Sequence, residues 1–353
     1  MPKTYAQSKI SSTRSLSLCA LSIFVPPNRI HMSLINHLSE EDAEHIQTLW
    51  SGYGSIKRYP NTRHGSLIVK HVKLPDNTVH PRGWNTDRSH QRKVRSYHVE
   101  STWYRSFAKQ CDEHCRVPQC FESVEENQEF LLVMEDLDLS GYSTRHDSLS
   151  PQDMLVCLDW LAYFHARFMG QSPRIDSDKS LWDVGTYWHL ATRPDELQAL
   201  DDAPLKSAAS AIDQTLNQAR HQTLVHGDAK LANFCFSKNG QSVAAVDFQY
   251  VGGGCGMKDV AYFIGSCLYE DDCERYEQFL LKHYFATLKQ ALIHYRSTVN
   301  QEDLEQEWRM LFPFAWADFH RFVKGWSPGH WKINAYSERL SRQVIHTLDE
   351  QKL

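Results

Sequence analysis

Apolar and polar positions change their period along this chain. Residues 52–59 and 66–74 alternate and are rich in β-formers, and the polar stretch Asn61–Gly65 between them reads as a turn, so two strands are expected. Residues 75–87 are polar and punctuated by proline and glycine, the composition of a loop. From His90 to Cys111 the period lengthens to that of a helix, with Val94, Tyr97, Tyr104 and Phe107 recurring on one side. Residues 130–135, FLLVME, make a short unbroken apolar run, the pattern of a buried strand, and a polar, turn-rich segment, 136–150, follows. Ser150, Pro151 and Asp153 then combine a capping hydroxyl, a proline for the first turn and an early acid, which starts a helix striped with Met154, Leu155, Leu158, Leu161, Ala162 and His165. Apolar runs at 223–225 and 242–246 interrupt the helical pattern, and everything after Lys258 reads as helical and aromatic. Near the other end, Ser39 with Asp42 can cap a helix whose apolar stripe is Ala43, Ile46, Leu49 and Trp50.

This order predicts two lobes, a strand-rich one over 32–136 and a helical one over 137–353. Residues 1–31 read as a disordered extension or a mis-assigned start ahead of Met32. A secretory signal is the alternative, because Lys3, Lys9 and Arg14 precede the apolar Leu16–Val25, although Pro26 and Pro27 stand where a small-residue cleavage site would follow.

Composition narrows the class. The 353 residues are 41% hydrophobic, 12% aromatic and 23% charged, which excludes a collagen, a low-complexity chain and a mostly disordered protein. The net charge of −5 draws the chain toward neither nucleic acid nor an anionic membrane. No apolar run approaches the ~20 residues that span a bilayer. Nine cysteines, an odd number without paired spacing, read as reduced thiols in a cytoplasmic protein. Cys111, Cys115 and Cys120 flank His114 but lack the tight pairs of zinc modules, so ordinary packing is the simpler reading.

The chemistry sits in two stretches, LVHGDAKLANFCF at 224–236 and VAAVDFQY at 243–250. His226-Gly227-Asp228 follows an apolar run directly, Asn233 lies five residues beyond Asp228, and Asp247 ends a second apolar run fourteen residues further on. Phosphoryl transfer needs a carboxylate to orient and deprotonate the attacking hydroxyl, and hard oxygen ligands to hold the magnesium that neutralises the triphosphate. His-Gly-Asp alone is common turn chemistry; HxDxxxxN followed by a strand ending in aspartate is far more restrictive.

On these residues the chain resembles the aminoglycoside phosphotransferase and choline kinase superfamily, and within it the ecdysteroid kinase-like branch. The resemblance runs over residues 50–270 and is carried by SLIVK (66–70), Glu100 in YHVESTWYRSF, LLVMEDL (131–137), LAYFHARF (161–168), HGDAKLANF (226–234) and VDFQYVGGGCGMKDVAYF (246–263). It implies an α+β, bilobal protein-kinase-like fold with a small β-rich N-lobe and a larger helical C-lobe. It also implies that Asp228 is the catalytic aspartate, that Asn233 and Asp247 bind magnesium, and that Lys70 grips the ATP phosphates while Glu100 pairs with it. Lys73 is the rival for Lys70, and a surface bridge to Arg95 or Arg105 is the rival role for Glu100. Backbone groups near Glu135 and Leu137 would read adenine, Asp259 would brace the catalytic loop, His226 would support it, and His165 reads as a core histidine.

The chain departs from kinase patterns in places. Gly52-Tyr53-Gly54 begins a glycine-rich loop without completing it, and Asp247 is followed by Phe-Gln where protein kinases have Phe-Gly. No Ala-Pro-Glu follows. The glycines at 252, 253, 254 and 256 miss dinucleotide-binding spacing because residue 257 is methionine, and GxxxxGK[ST] is absent. The C-terminal aromatics from Trp308 to Trp331 include Trp316, with Asp318 beside it, which could cage an ammonium; a packed core or a wall for a hydrophobic alcohol fits the same pattern. The expected activity is therefore an ATP- and Mg2+-dependent kinase of a small-molecule alcohol acceptor, with no nucleic acid and no membrane span; oligomeric state and acceptor stay open. The alternatives are a nucleotide-binding pseudokinase or interaction module, and a protein kinase.

Overall fold

The computed structural model describes residues 38–49, 52–74, 87–126, 129–176 and 180–350. The readings of residues 1–31, of the loop at 75–86 and of Trp50 lie outside them. The elements in chain order are β1 (Glu44–Thr48), β2 (Gly54–Thr62), β3 (Gly65–Lys73), α1 (Asp87–Thr102), β4 (Cys120–Glu126) and β5 (Glu129–Glu135), then α2 (Leu155–Arg167), α3 (Pro194–Ala199) and α4 (Ala203–Asn217). The short strands β6 (Thr223–Val225), β7 (Phe234–Phe236), β8 (Val243–Ala245) and β9 (Gly252–Gly254) follow, and the chain closes with α5 (Met257–Cys267), α6 (Glu270–His294), α7 (Gln301–Trp326) and α8 (Ala335–Glu350).

The first five strands form one antiparallel sheet in the order β1-β2-β3-β5-β4. Ile68, Lys70 and Val72 alternate onto one face of β3. Val72 joins Tyr97 of α1, Phe130 of β5 and Tyr53 in a small core. Arg58 on β2 reaches past the end of β5 and bonds Asp136 at 2.8 Å and Asp138 at 2.5 Å, while Ser66 gives its hydroxyl to Asp136 at 2.6 Å. The segment after β5 is thus tied back onto the sheet.

The helical part is held by a core in which Trp103, Trp160, Phe164, Phe168 and Phe248 are fully buried or nearly so. Trp103 comes from the wide turn that continues α1, and it stacks on Phe248 with ring centroids 4.5 Å apart. Trp160 stacks on Phe164 at 4.8 Å. The start signal forms a turn ahead of α2, not its first turn: the Asp153 N–H donates to the Ser150 hydroxyl at 3.2 Å, which donates in turn to the Asp153 carboxylate at 2.6 Å, and the helix begins only at Leu155. No described helix is long and apolar enough to cross a membrane.

Two expectations are corrected. The helix expected from Ser39 stops after one tight turn at Glu40–Asp42, and residues 44–48 pair with β2 as an edge strand. Ile46 is 43% exposed and Leu49 is buried in the small core with Val72 and Tyr97, so the expected stripe does not share one face, while the backbone gains a ladder of sheet hydrogen bonds. Strand β4 was not expected, because CFESVEE is half polar; it lies at the sheet edge, paired with β5, and only Glu122 along it is buried.

Replacing Trp103 by alanine is expected to cost about 3–5 kcal/mol, the usual loss for a large aromatic deleted from a core. A urea unfolding midpoint that stays unchanged would contradict the central place given to the Trp103–Phe248 stack.

Candidate active site

A cleft of about 1150 Å3 is lined by both the sheet and the helical part. One end of it is built on the turn between β6 and β7. Gly227 sits at φ +79°, and a Cβ there would lie 2.1 Å from the Tyr250 carbonyl, so the position demands glycine. Asp259, on the first turn of α5 and without solvent exposure, accepts the N–H of His226 at 2.5 Å and that of Gly227 at 2.9 Å. His165 reaches the same carboxylate at 3.2 Å and the Tyr284 hydroxyl at 2.7 Å, so it is a satisfied core histidine. His226 has both ring nitrogens committed: Nε2 to the Val246 carbonyl at 3.0 Å and Nδ1 to the Asp228 N–H at 3.3 Å. It therefore joins the Asp228 turn to the strand that delivers Asp247 and is not free to move protons.

Asp228 is almost fully buried. Its carboxylate accepts from Lys230 at 2.9 Å, from Asn233 Nδ2 at 3.2 Å and from the Tyr262 hydroxyl at 3.1 Å. Asn233 also gives Nδ2 to the Asp228 carbonyl at 2.7 Å, so its amide is oriented with Oδ1, an acceptor, turned away from that bond. Asp247 adopts φ +69°, a left-handed conformation that costs a non-glycine residue on the order of 1–3 kcal/mol and that collects at functional sites. Its buried Oδ1 has no hydrogen-bond partner among the described residues; the nearest cation is Lys70 Nζ at 3.7 Å. The two carboxylates are pushed apart. Burial, with Asp247 close by, lifts Asp228 above the usual aspartate range against the pull of Lys230. Burial acts on Asp247 too, but Lys70, Lys230 and Lys93 outweigh it and hold it low. One carboxyl is tuned toward accepting a proton and the other toward staying ionised.

Lys70 meets Glu100 of α1 through both carboxylate oxygens, at 2.9 and 2.7 Å, with both side chains buried. Burial alone would depress the ammonium, yet Glu100 and Asp247 raise it. The rivals lie elsewhere: Lys73 pairs with Glu129 at 3.2 Å, Arg105 with Glu125 at 3.2 Å, and Arg95 bonds the Ser180 hydroxyl at 2.7 Å. Glu135 and Leu137 line the cleft. The Glu135 carboxylate is turned to Arg116 and to the Gln119 N–H, 2.9 Å away, and the Leu137 carbonyl already accepts from Tyr142 at 2.8 Å.

Trp316 and Asp318 are corrected. Both are buried and absent from the cleft wall. Trp316 donates to the Ser337 hydroxyl at 3.2 Å, and Asp318 accepts from Trp188 at 2.9 Å and from Arg321 at 2.7 Å. Three residues of the site were not foreseen. Lys230 stands in the HGDAKLAN motif itself, two residues from Asp228. Tyr262 stands in MKDVAYF, one turn after Asp259. Lys93 lies two helical turns before Glu100 and donates to the Gln249 amide oxygen at 3.0 Å. Ser96 reaches the same oxygen at 3.2 Å, so the glutamine of Asp-Phe-Gln ties the metal-ligand candidate's segment to α1, which a glycine there could not do.

Solved structures of similar fold include kinases of small molecules. An amicoumacin kinase in complex with AMP-PNP, Ca2+ and Ami matches with a TM-score of 0.53 at 12% identity, covering 89% of this chain and 90% of that one. The choline kinase of Cryptosporidium parvum Iowa II gives 0.52 at 9% identity over 91% of this chain and 93% of that one. An ethanolamine kinase of Plasmodium vivax gives 0.50 at 12% identity, with 90% and 86% covered. These likenesses define the class, an α+β protein of the kinase-like fold with a sheet-rich N-lobe and a helical C-lobe. Comparison with curated proteins gives no match. Residues 56–170 and 183–297 match the ecdysteroid kinase-like family, and the chain belongs to it.

Substituting Lys70 by methionine strands the Glu100 carboxylate, and the loss expected for a buried pair broken on one side is about 3–5 kcal/mol at neutral pH. A lone buried carboxylate has a folded pKa above its unfolded value, so the deficit should shrink as the pH falls and the group takes up its proton. Urea midpoints at acid and neutral pH check this; a deficit that grows in acid would contradict it.

Proposed function

We propose that this chain is a phosphotransferase that moves the γ-phosphoryl group of ATP, with Mg2+, to a hydroxyl group of a small molecule. The single observation that carries the reading is the convergence of Asp228, Asn233, Asp247 and the Lys70–Glu100 pair on one cleft, with an unpartnered buried oxygen on Asp247. Asn233 Oδ1 and Asp247 are hard oxygen donors of the kind magnesium takes, and a site of one or two side chains completed by nucleotide oxygens is its usual mode. When bound, the cation neutralises charge on the phosphates.

The remaining roles belong to side chains. Lys70, held by Glu100, is a fixed positive charge for the phosphates of the nucleotide. Backbone groups around Glu135 and Leu137 would take adenine, since the Glu135 side chain is occupied elsewhere. Lys93, tethered to Gln249, stands on the helix facing the same phosphates and compensates for the incomplete glycine-rich loop. Asp228 orients the acceptor hydroxyl. As the acceptor oxygen forms its bond to the γ-phosphorus, the bond from that phosphorus to the β–γ bridging oxygen breaks. ADP leaves with that electron pair, and the acceptor's proton passes to the Asp228 carboxylate. Positioning and charge neutralisation carry most of the rate.

In Asp228→Asn, ADP release in the presence of an acceptor is expected to fall by about 10²–10⁴-fold, the range for loss of a positioned general base. Nucleotide binding should persist. Undiminished turnover would contradict the assigned role.

A further inference from the structure

The acceptor end of the cleft has an unusual balance of charge. Moving outward from Asp228, the Tyr262 hydroxyl touches the carboxylate and its ring packs against Phe319 with centroids 4.9 Å apart. Over both rings sits Lys332, its Nζ 5.1 Å from the centroid of Tyr262 and 5.2 Å from that of Phe319. Further out, Phe322 stacks on Trp326 at 5.9 Å with planes 10° apart. The Arg193 guanidinium lies 5.3 Å from the Phe322 ring, and the Arg92 guanidinium bonds the Thr192 carbonyl at 3.0 Å and Ser89 at 3.2 Å.

Of these cations Arg193 is paired, with Glu196 at 3.1 Å. Arg92 and Lys332 form no ion pair with a carboxylate among the described residues. Asp228 is the acid at this end of the cleft, and Lys230 already pairs with it. Burial pushes the Lys332 ammonium down to about 8, so at neutral pH it stays mostly charged without a counter-ion. The Arg92 guanidinium is likewise held below its usual range, by burial first and by the Arg193 charge second.

Aromatic faces beside a catalytic carboxylate would suit an ammonium. Here the ring faces of Tyr262 and Phe319 are taken by the protein's own ammonium, and a second one would meet like charge in a partly desolvated site. An anion would relieve Lys332 and Arg92, and an apolar ring would find Phe322 and Trp326.

Given that the chain is a phosphotransferase, we propose that its acceptor is an apolar, ring-bearing hydroxyl compound that carries an anionic group such as a carboxylate, and that Lys332 receives this group, with Arg92 as the second cation of the subsite.

The test uses the full chain with AMP-PNP and Mg2+ and a matched series of hydroxymethyl-biphenyls bearing a distal carboxylate, no charge, or a distal ammonium. Calorimetry should find the carboxylate member bound at least about tenfold tighter than the ammonium member, a difference of about 1.4 kcal/mol. Lys332→Met should erase most of that preference while the dissociation constant of AMP-PNP hardly moves, and Lys332→Glu should invert it. Arg92→Met is read in the same way, so the outcome does not depend on one variant folding. Equal or tighter binding of the ammonium member would overturn the proposal. So would no binding of the carboxylate at millimolar concentration by a protein that binds AMP-PNP, or a Lys332→Met variant that loses AMP-PNP as fully as it loses the carboxylate. A wild-type protein that fails to bind AMP-PNP would instead remove the phosphotransferase reading, and this proposal with it.

Discussion

A carboxylate with no solvent exposure holds the turn that presents Asp228: Asp259 accepts the N–H groups of both His226 and Gly227. Backbone N–H groups inside a core cannot be left unpaired without a loss of about 1–3 kcal/mol each, so this pairing fixes the turn's direction. From it the geometry propagates. His226 carries the constraint to the Val246 carbonyl and hence to Asp247, and Phe248 carries it to Trp103, at the end of the helix that supplies Glu100. Gln249 closes the circuit by bonding Lys93 and Ser96 of that same helix. Groups far apart in the chain therefore meet because a few buried polar groups each have one place to bond.

The cleft's electrostatics arise from the same economy of partners. Lys70 is matched by Glu100 and Lys230 by Asp228, whereas Lys93 and Lys332 form no direct ion pair with a carboxylate among the described residues. Burial pushes Lys93 down to about 8, as it does Lys332. Both ammonium groups rest on aromatic faces, Lys93 over Tyr97 at 4.8 Å and Lys332 over Tyr262 at 5.1 Å, an arrangement poised to accept anions. Lys93 faces the end where polyphosphate would lie and Lys332 the end where an acceptor would enter.

Much of this was legible in the sequence, and the limits have physical causes. HGDAKLAN and the strand ending in Asp247 are local patterns, so spacing alone brought Asp228, Asn233 and Asp247 to one place. Lys70 and Glu100 came from the resemblance, and nothing nearby in the sequence singled out Lys70 over Lys73; burial on the face turned to α1 does. The segment after Ser39 misled because an edge strand with all five residues exposed carries no alternation to read, while its capping residues do form a turn. Trp316 and Asp318 misled for the opposite reason. Helix α7 is buried around most of its circumference, so its aromatic content does not tell which residues face a cleft; Phe319, Phe322 and Trp326 do, and Trp316 does not. Lys332 lies in an irregular segment between two helices, where periodicity has nothing to say.

The measurement that bears most directly on the proposed nucleotide site is the thermal midpoint of the protein with ATP alone and with ATP and Mg2+, repeated in Asp247→Asn. A ligand at 100 times its dissociation constant stabilises by roughly 2.7 kcal/mol, enough to see in a melt. The expected result is an upward shift that needs Mg2+ in the wild type and is lost or much reduced in the variant. No shift at millimolar ATP, or an equal shift in both proteins, would contradict the assignment of Asp247 and Asn233 as the cation ligands of a working phosphotransferase.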